Sequence, residues 1–178
     1  MTEYKVVLLG ARRAGKSALG TRFAKNQFVV QDIQTVEDLL TKKAEIDNEI
    51  CCLEILDTCG TARFSQIKQQ HIRYGEGFVF VFAADNKRSF EEIEIIREQI
   101  YKGKKSCSVP IILVANKTDL PNHEVDLKQA EEYAEMHNMI YVEASAKTGQ
   151  GTNDIFRLLV HEIRNKRFNN RKKVCTIL

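Results

Sequence analysis

The sequence predicts an α/β domain built as a three-layer, doubly wound, mostly parallel six-stranded sheet with one antiparallel edge strand. Apolar, β-rich runs recur along the chain, and several are continuous rather than alternating, as in strands buried on both faces of a sheet. Helical patterns separate most of these runs. Two runs joined around Asp47-Asn48 instead favour one antiparallel hairpin. The predicted strands are 6–9, 51–56, 78–82, 111–114 and 140–142, and the hairpin pairs 41–46 with 49–56.

Five helices are predicted at 17–25, 65–73, 89–103, 127–137 and 153–168. The last has an apolar stripe of Ile155, Phe156, Leu158, Leu159 and Ile163, the pattern of a helix with one buried face. Asp126 and either Thr152 or Asn153 are suitable N-caps. We expect an ordered domain over 1–168, a basic tail over 169–178, and a ligand at the carboxyl ends of the strands.

Composition indicates one soluble globular domain. The chain has 178 residues, of which 43% are hydrophobic and 29% charged, and it has neither a signal-peptide pattern at its start nor an apolar stretch of membrane-spanning length. Its five cysteines are odd in number and lack C-x-x-C spacing. These features favour a reduced, cytosolic compartment over a disulfide framework or a zinc site.

The net charge of +3 conceals an asymmetry. The six bases of 164–173 are accompanied by no acid, and the remaining 21 basic and 24 acidic residues leave the rest near −3. They are Arg164, Lys166, Arg167, Arg171, Lys172 and Lys173. This distribution argues against a nucleic-acid-binding face and favours an anionic surface met by the end of the chain.

A phosphate-binding loop follows the first predicted strand. Gly10-Ala11-Arg12-Arg13-Ala14-Gly15-Lys16-Ser17 matches G-x-x-x-x-G-K-[ST], with backbone N–H groups and a helix N-terminus directed at an anion. Lys16 would reach the β- and γ-phosphates, and the Ser17 hydroxyl would ligate Mg²⁺. A nucleoside triphosphate is the predicted ligand.

A second element ends the run 51–56. Asp57 can hold the metal, directly or through water, and Gly60 can bring its N–H against the γ-phosphate because it has no Cβ.

The third element selects the base. After the run 111–114 comes Asn116-Lys117-Thr118-Asp119, and the Asp119 carboxylate can accept from both adjacent donors of guanine, a pair that adenine lacks. Lys117 can lay its methylenes over the base, and Asn116 can tie neighbouring loops together. A backbone N–H within Glu143-Ala144-Ser145-Ala146-Lys147 can meet the guanine carbonyl.

Together these motifs resemble the Ras family of small GTPases over 1–178, and 56–61 is closer to the Rap branch. The shared segments are 1–7, 15–19, 55–58, 75–78, 116–119 and 145–148. The resemblance implies the P-loop GTPase fold, GTP or GDP with Mg²⁺, and two switch segments near 28–38 and 57–74. It also implies that Phe28 packs against the guanine edge and that Thr35 closes on Mg²⁺ and the γ-phosphate.

The implied site residues fall into four groups. Catalysis involves Lys16, Thr35, Gly60 and Thr61, and the metal is held by Ser17, Thr35 and Asp57. The nucleotide contacts are Gly10, Ala11, Arg12, Arg13, Ala14, Gly15, Lys16, Ser17, Ala18, Phe28, Val29, Val30, Thr35, Gly60, Asn116, Lys117, Asp119, Ser145, Ala146 and Lys147. The effector-facing residues are Asp32, Ile33, Gln34, Thr35, Val36, Glu37, Asp38, Leu39 and Leu40.

The chain departs from the family around the γ-phosphate. Glycines are usual where Arg12 and Arg13 stand, and alanine is usual in place of Cys59, whose small thiol is expected to be buried. Ras has a water-orienting glutamine in place of Thr61. In the first switch this chain has Asp32 where the family usually has an aromatic residue, and Gln34 where it usually has a proline. We therefore expect a looser switch and faster nucleotide exchange.

The two arginines have three interpretations. Arg12 can obstruct the space needed by the water-orienting residue and by a partner's arginine finger, which in Ras contributes about 10³–10⁵ in rate. Losing that finger would forfeit roughly 4–7 kcal/mol. Alternatively, Arg12 or Arg13 acts as a finger in cis, or both are solvated and neutral. Obstruction is preferred because a residue on the loop lies too close to swing in line.

The end of the chain predicts lipidation. Cys175-Thr176-Ile177-Leu178 reads as a C-a-a-X box whose final Leu favours geranylgeranyl. Because one lipid anchors only reversibly, the neighbouring bases would supply the second signal through anionic lipids. The expected location is the cytoplasmic face of a membrane, most naturally the plasma membrane.

The preferred function is a membrane-anchored, monomeric guanine-nucleotide switch that hydrolyses GTP slowly because of Arg12, Arg13 and Thr61. The alternative is a GTP-loaded binding module with negligible hydrolysis, and an ATP-using P-loop enzyme is disfavoured by Asp119. Expected partners are effectors with Ras-binding-type domains that add to the strand beginning near Glu37, an exchange factor, a prenyltransferase and a GTPase-activating protein whose action is impaired.

Overall fold

The structure, a computed structural model, describes residues 1–29, 37–60 and 66–175, and describes side chains as far as residue 170. Its six strands are β1 (Thr2–Gly10), β2 (Asp38–Ile46), β3 (Glu49–Asp57), β4 (Gly77–Ala83), β5 (Ile111–Asn116) and β6 (Ile140–Glu143). Its helices are α1 (Lys16–Lys25), α2 (Gln69–Tyr74), α3 (Lys87–Lys104), α4 (Leu127–Met136) and α5 (Thr152–Cys175).

The strands form one sheet in the order β2-β3-β1-β4-β5-β6. All neighbours pair in parallel except β2 and β3, which form the antiparallel hairpin at the edge. Asp47 and Asn48 make its turn with φ of 54° and 61°, the left-handed conformation that two-residue hairpin turns require. The predicted fold class is confirmed. In this topology β1, β3, β4, β5 and β6 all end at the same edge.

Helices cover both faces of the sheet, each over its own core. Along β1, Val6 and Leu8 face one core while Val7 and Leu9 face the other, which is the two-residue alternation of a strand buried on both sides. The first core contains the stacked rings of Phe23 from α1 and Phe156 from α5, with centroids 4.0 Å apart. The second packs under α2, α3 and α4. These are the three predicted layers.

Two predicted helices differ from the observed ones by more than two residues at one end, and the other three agree within two residues. Residues 66–68 are not helical, and α2 begins only at Gln69. The last helix was expected to end at residue 168, but α5 continues to Cys175. Its final turns contain neither Gly nor Pro, so nothing in the local sequence stops it. The domain boundary at 168 stays a prediction. Within the described residues, no helix combines the length and apolarity needed to cross a bilayer.

Candidate functional site

The loop between β1 and α1 is shaped by glycines at its two ends. Gly10 has φ of 152°, and a Cβ there would lie 2.1 Å from the Val81 carbonyl oxygen on β4. Gly15 has φ of 94°, and a Cβ there would lie 2.1 Å from Asn116 Nδ2. Neither position tolerates a side chain, so the glycines of the phosphate-binding motif are required by this backbone.

Lys16 is buried inside that loop. Its Nζ donates to the carbonyl oxygens of Gly10 at 3.1 Å and of Ala11 at 3.0 Å. Burial lowers its pKa to about 8, although the nearby Asp57 carboxylate partly opposes this shift. A buried ammonium group of this kind would bind a phosphate group favourably, because opposite charges attract more strongly away from solvent.

Asp57 and Ser17 form the candidate metal site. Asp57 is 3% exposed, and burial raises its pKa although a hydrogen bond with Ser17 works in the opposite direction. Its Oδ1 is buried without a hydrogen-bond partner, and such an atom is costly unless something binds it. These groups fit Mg²⁺, which takes one or two protein oxygens and completes its shell with phosphate and water. Among the described residues, no group of three or more His, Cys, Asp or Glu could hold a metal instead.

Asn116 joins the phosphate end of the site to the base end. Its Nδ2 donates to the Ala14 carbonyl at 2.9 Å, and its Oδ1 accepts from the Ala146 N–H at 3.2 Å. The residue is 1% exposed. The expected link between neighbouring loops is therefore present.

The base-recognition side chains lie at the ends of β5 and β6. Asp119 Oδ1 accepts from the Ser145 hydroxyl at 2.7 Å, which orients the carboxylate. Lys117 has φ of 64°, and its Nζ lies 3.4 Å from Asp85 Oδ1. Asp85 was not predicted from the sequence. The signal was available, because Asp85 closely follows the buried strand β4, just as Asp119 closely follows β5 and Asp57 ends β3.

The loop after β6 is held by its own backbone and by the side chain of Arg22 on α1. The Ser145 N–H donates to the Gln150 carbonyl at 3.0 Å, and the Lys147 carbonyl accepts from Arg22 at 2.7 Å. The Ala146 N–H in this loop donates to Asn116 Oδ1. Phe28 and Val29, which follow α1, are 39% and 45% exposed, and exposed apolar groups of this kind are suited to packing on a base.

Arg12 lies directly against Gly60. A Cβ on Gly60 would approach the Arg12 Cα to 2.5 Å and the Arg12 Cγ to 2.8 Å. The backbone and the first methylenes of the arginine therefore lie directly against Gly60, in the segment expected to be the second switch. Arg12 is exposed, and so is Arg13, which has φ of 61°. Cys59 corrects an expectation, because it is exposed rather than buried; it follows the last buried residues of β3, where the chain leaves the core.

The effector-facing segment is described from Glu37 onward. The Glu37 carboxylate is held by Lys68 Nζ at 2.9 Å and faces His71 Nε2 at 3.0 Å, two side chains that sequence reasoning missed. Asp38 and Leu39 are exposed. Leu40, expected on the same surface, is instead buried against the first core, because alternate residues of a strand face opposite sides.

Several predicted site residues lie outside the described part of the chain. They are Val30, Asp32, Ile33, Gln34, Thr35, Val36 and Thr61. Cys175 is the last residue of α5 in the structure, and its side chain is not described.

This sheet with a glycine-bounded loop, a buried lysine, a metal-side aspartate with one unpartnered oxygen and a base-selecting aspartate defines a P-loop nucleotide-binding protein. The model of the Ras family matches residues 5–165. The chain belongs to the Ras family, and so to the small GTP-binding switches, which bind GTP or GDP with Mg²⁺ and act with effectors, exchange factors and activating proteins.

Proposed function

We propose that this protein is a guanine-nucleotide switch whose GTP hydrolysis is slowed by Arg12. The supporting observation is the approach of the Arg12 side chain to Gly60, since a Cβ on Gly60 would meet the Arg12 Cγ at 2.8 Å. The stem of the arginine lies against Gly60, which precedes Thr61 in the chain, and in Ras the residue at that next position orients the attacking water. Nucleotide binding does not depend on that space, because the loop binds phosphates through backbone N–H groups and Lys16.

Guanine selectivity is tested first. The Asp119 carboxylate accepts from two guanine donors, whereas an asparagine there would present one donor and one acceptor. We expect calorimetry with Mg²⁺ to show tight binding of GDP and GTP, no comparable binding of ATP, and a loss of guanine affinity in Asp119→Asn. Equal affinity for ATP and GTP would overturn the assignment.

Slow hydrolysis is tested by single-turnover measurements on GTP-loaded protein. Obstruction predicts that Arg12→Gly accelerates hydrolysis while Arg12→Lys, which keeps a long cationic side chain, stays as slow as the wild type. A slower Arg12→Gly would instead identify Arg12 as a catalytic finger. Equal rates in all three proteins would mean that Arg12 has no effect.

The second candidate is a GTP-loaded binding module with negligible turnover. The absence of glutamine at position 61 favours it, because threonine cannot orient water in the same way. The nucleotide released from freshly purified protein separates the two functions. Mostly GDP supports the switch, and persistent GTP supports the module.

Membrane attachment through Cys175 is part of the proposal. It is supported by the basic residues of 164–173 and by the box that begins at Cys175, for which a prenyltransferase would be the partner. Membrane fractionation of the wild type and of Cys175→Ser in cells tests it. Retention of Cys175→Ser on membranes would exclude this route.

A further inference from the structure

Three of the six bases near the end of α5 bind the domain itself. Arg164 contacts Asp47 Oδ2 and Glu49 Oε2, each at 3.0 Å, and donates to the Tyr4 hydroxyl at 2.9 Å. Lys166 donates to the Ser108 carbonyl. These contacts hold α5 against β1, the β2–β3 hairpin and the loop between α3 and β5.

Arg167 is similarly engaged. It donates to the Glu3 carbonyl at 2.9 Å, pairs with Glu76, and lies over the Tyr4 ring at 4.7 Å. The other three bases, Arg171, Lys172 and Lys173, follow in the last two turns of α5, where the structure describes the helix but not the side chains. An anionic surface would therefore gain less from charge than six bases suggest.

Phe168 lies between the fastened part of α5 and those last turns. It is 57% exposed, which is unusual for a large aromatic side chain in the described residues. Because α5 continues to Cys175, Phe168 precedes Cys175 by seven residues, about 10 Å along the axis and within about 20° of the same side of the helix. The same helix side thus carries an aromatic residue and the residue proposed to be lipidated.

We propose that Phe168 enters the headgroup region of an anionic bilayer and, with Arg171, Lys172 and Lys173, supplies the second membrane signal beside Cys175. The proposal rests on the membrane attachment proposed above. A bilayer is the occupant that the charges favour, since 164–173 contain no acid and an aromatic ring next to bases is suited to the membrane interface. The helix would hold the domain at a fixed orientation, because lipid and domain are then connected by a helix rather than a flexible tail.

The chain contains no tryptophan, so Phe168→Trp introduces a unique fluorophore. We expect geranylgeranylated Phe168→Trp to show a blue-shifted emission with vesicles of phosphatidylcholine and phosphatidylserine, and quenching when brominated lipids are included. The matched control is Met136→Trp, which reports from α4, where Met136 is 75% exposed. Its emission should stay that of tryptophan in water.

A second measurement uses co-sedimentation of the prenylated chain with the same vesicles. Phe168→Ser should lower the bound fraction several-fold, and Asn169→Ser, its neighbour in the helix, should not. If the wild type sediments but the Phe168→Trp emission is unchanged and Phe168→Ser binds equally, the proposal is overturned while attachment stands. If the wild type does not sediment, attachment itself fails. A blue shift without vesicles that grows with protein concentration would mean that a second copy covers Phe168, which also overturns it.

Discussion

Arg12 and Arg13 are adjacent and both exposed, yet their backbones differ. Arg13 has φ of 61°, whereas Arg12 is absent from the residues with positive φ. A side chain at positive φ costs about 1 kcal/mol relative to glycine, so Arg13 stores strain that the family's usual glycine avoids. The strain leaves the phosphate-binding backbone in place.

This difference predicts opposite stability effects for two similar substitutions. Arg13→Gly should leave stability unchanged or raise it by up to about 1 kcal/mol. Arg12→Gly should lower it by about 0.4–1 kcal/mol, because glycine there only adds freedom to the unfolded chain. Denaturant unfolding of both GDP-loaded variants at one nucleotide concentration makes the comparison. Equal shifts would contradict the backbone assignment.

At the scale of elements, Glu37 connects the start of β2 to α2. The hydrogen bond from Lys68 lowers the pKa of Glu37 below 4.5, and the neighbouring His71 also favours the charged carboxylate. The contact therefore stabilises the fold above pH 4.5 and is lost as pH falls through the lowered pKa of Glu37. A basic effector surface would have to compete with Lys68 for this carboxylate.

We expect Lys68→Ala to raise the pKa of Glu37 toward its ordinary value and to speed amide exchange at the start of β2. Carbon-detected NMR titration and hydrogen exchange measure the two effects. Lys43→Ala, which removes an exposed lysine from β2 itself, is the control and should change neither. A Glu37 titration unchanged in Lys68→Ala would show that the contact is absent in solution.

Sequence reasoning succeeded where chemistry depends on fixed spacing. Two patterns are local in the sequence: the glycines with Lys16 in the phosphate loop, and the run from Asn116 to Asp119. The strands could be predicted because buried parallel strands are continuously apolar. Contacts between distant segments were not readable. The ion pairs of Asp85 with Lys117 and of Glu37 with Lys68 form only because the fold brings their strands and helices together. The extension of α5 was missed because basic residues suit both a tail and a helix.

At the scale of the whole molecule, Arg164 and Arg167 hold α5 against the rest of the domain. From composition alone, both would be expected to bind an anionic membrane. Arg164→Ala should lower the free energy of unfolding by roughly 1–2 kcal/mol, because several hydrogen bonds are lost, and should change vesicle binding little. Lys172→Ala should do the reverse. Its free energy of unfolding should stay within about 0.5 kcal/mol of the wild-type value, and its binding to anionic vesicles should weaken by about 1 kcal/mol. Thermal unfolding and co-sedimentation on both variants test the division. Equal loss of vesicle binding in the two variants would contradict it.

The amide of Asn116 has a consequence for how ligands are admitted. Its side chain forms hydrogen bonds with Ala14 on one loop and with Ala146 on another. The distance between the phosphate-binding and base-binding parts of the site is therefore set before any ligand binds. A guanosine or an inorganic phosphate alone gains nothing from that preset spacing. A molecule carrying both, at the correct separation, engages both ends without spending binding energy to draw the loops together.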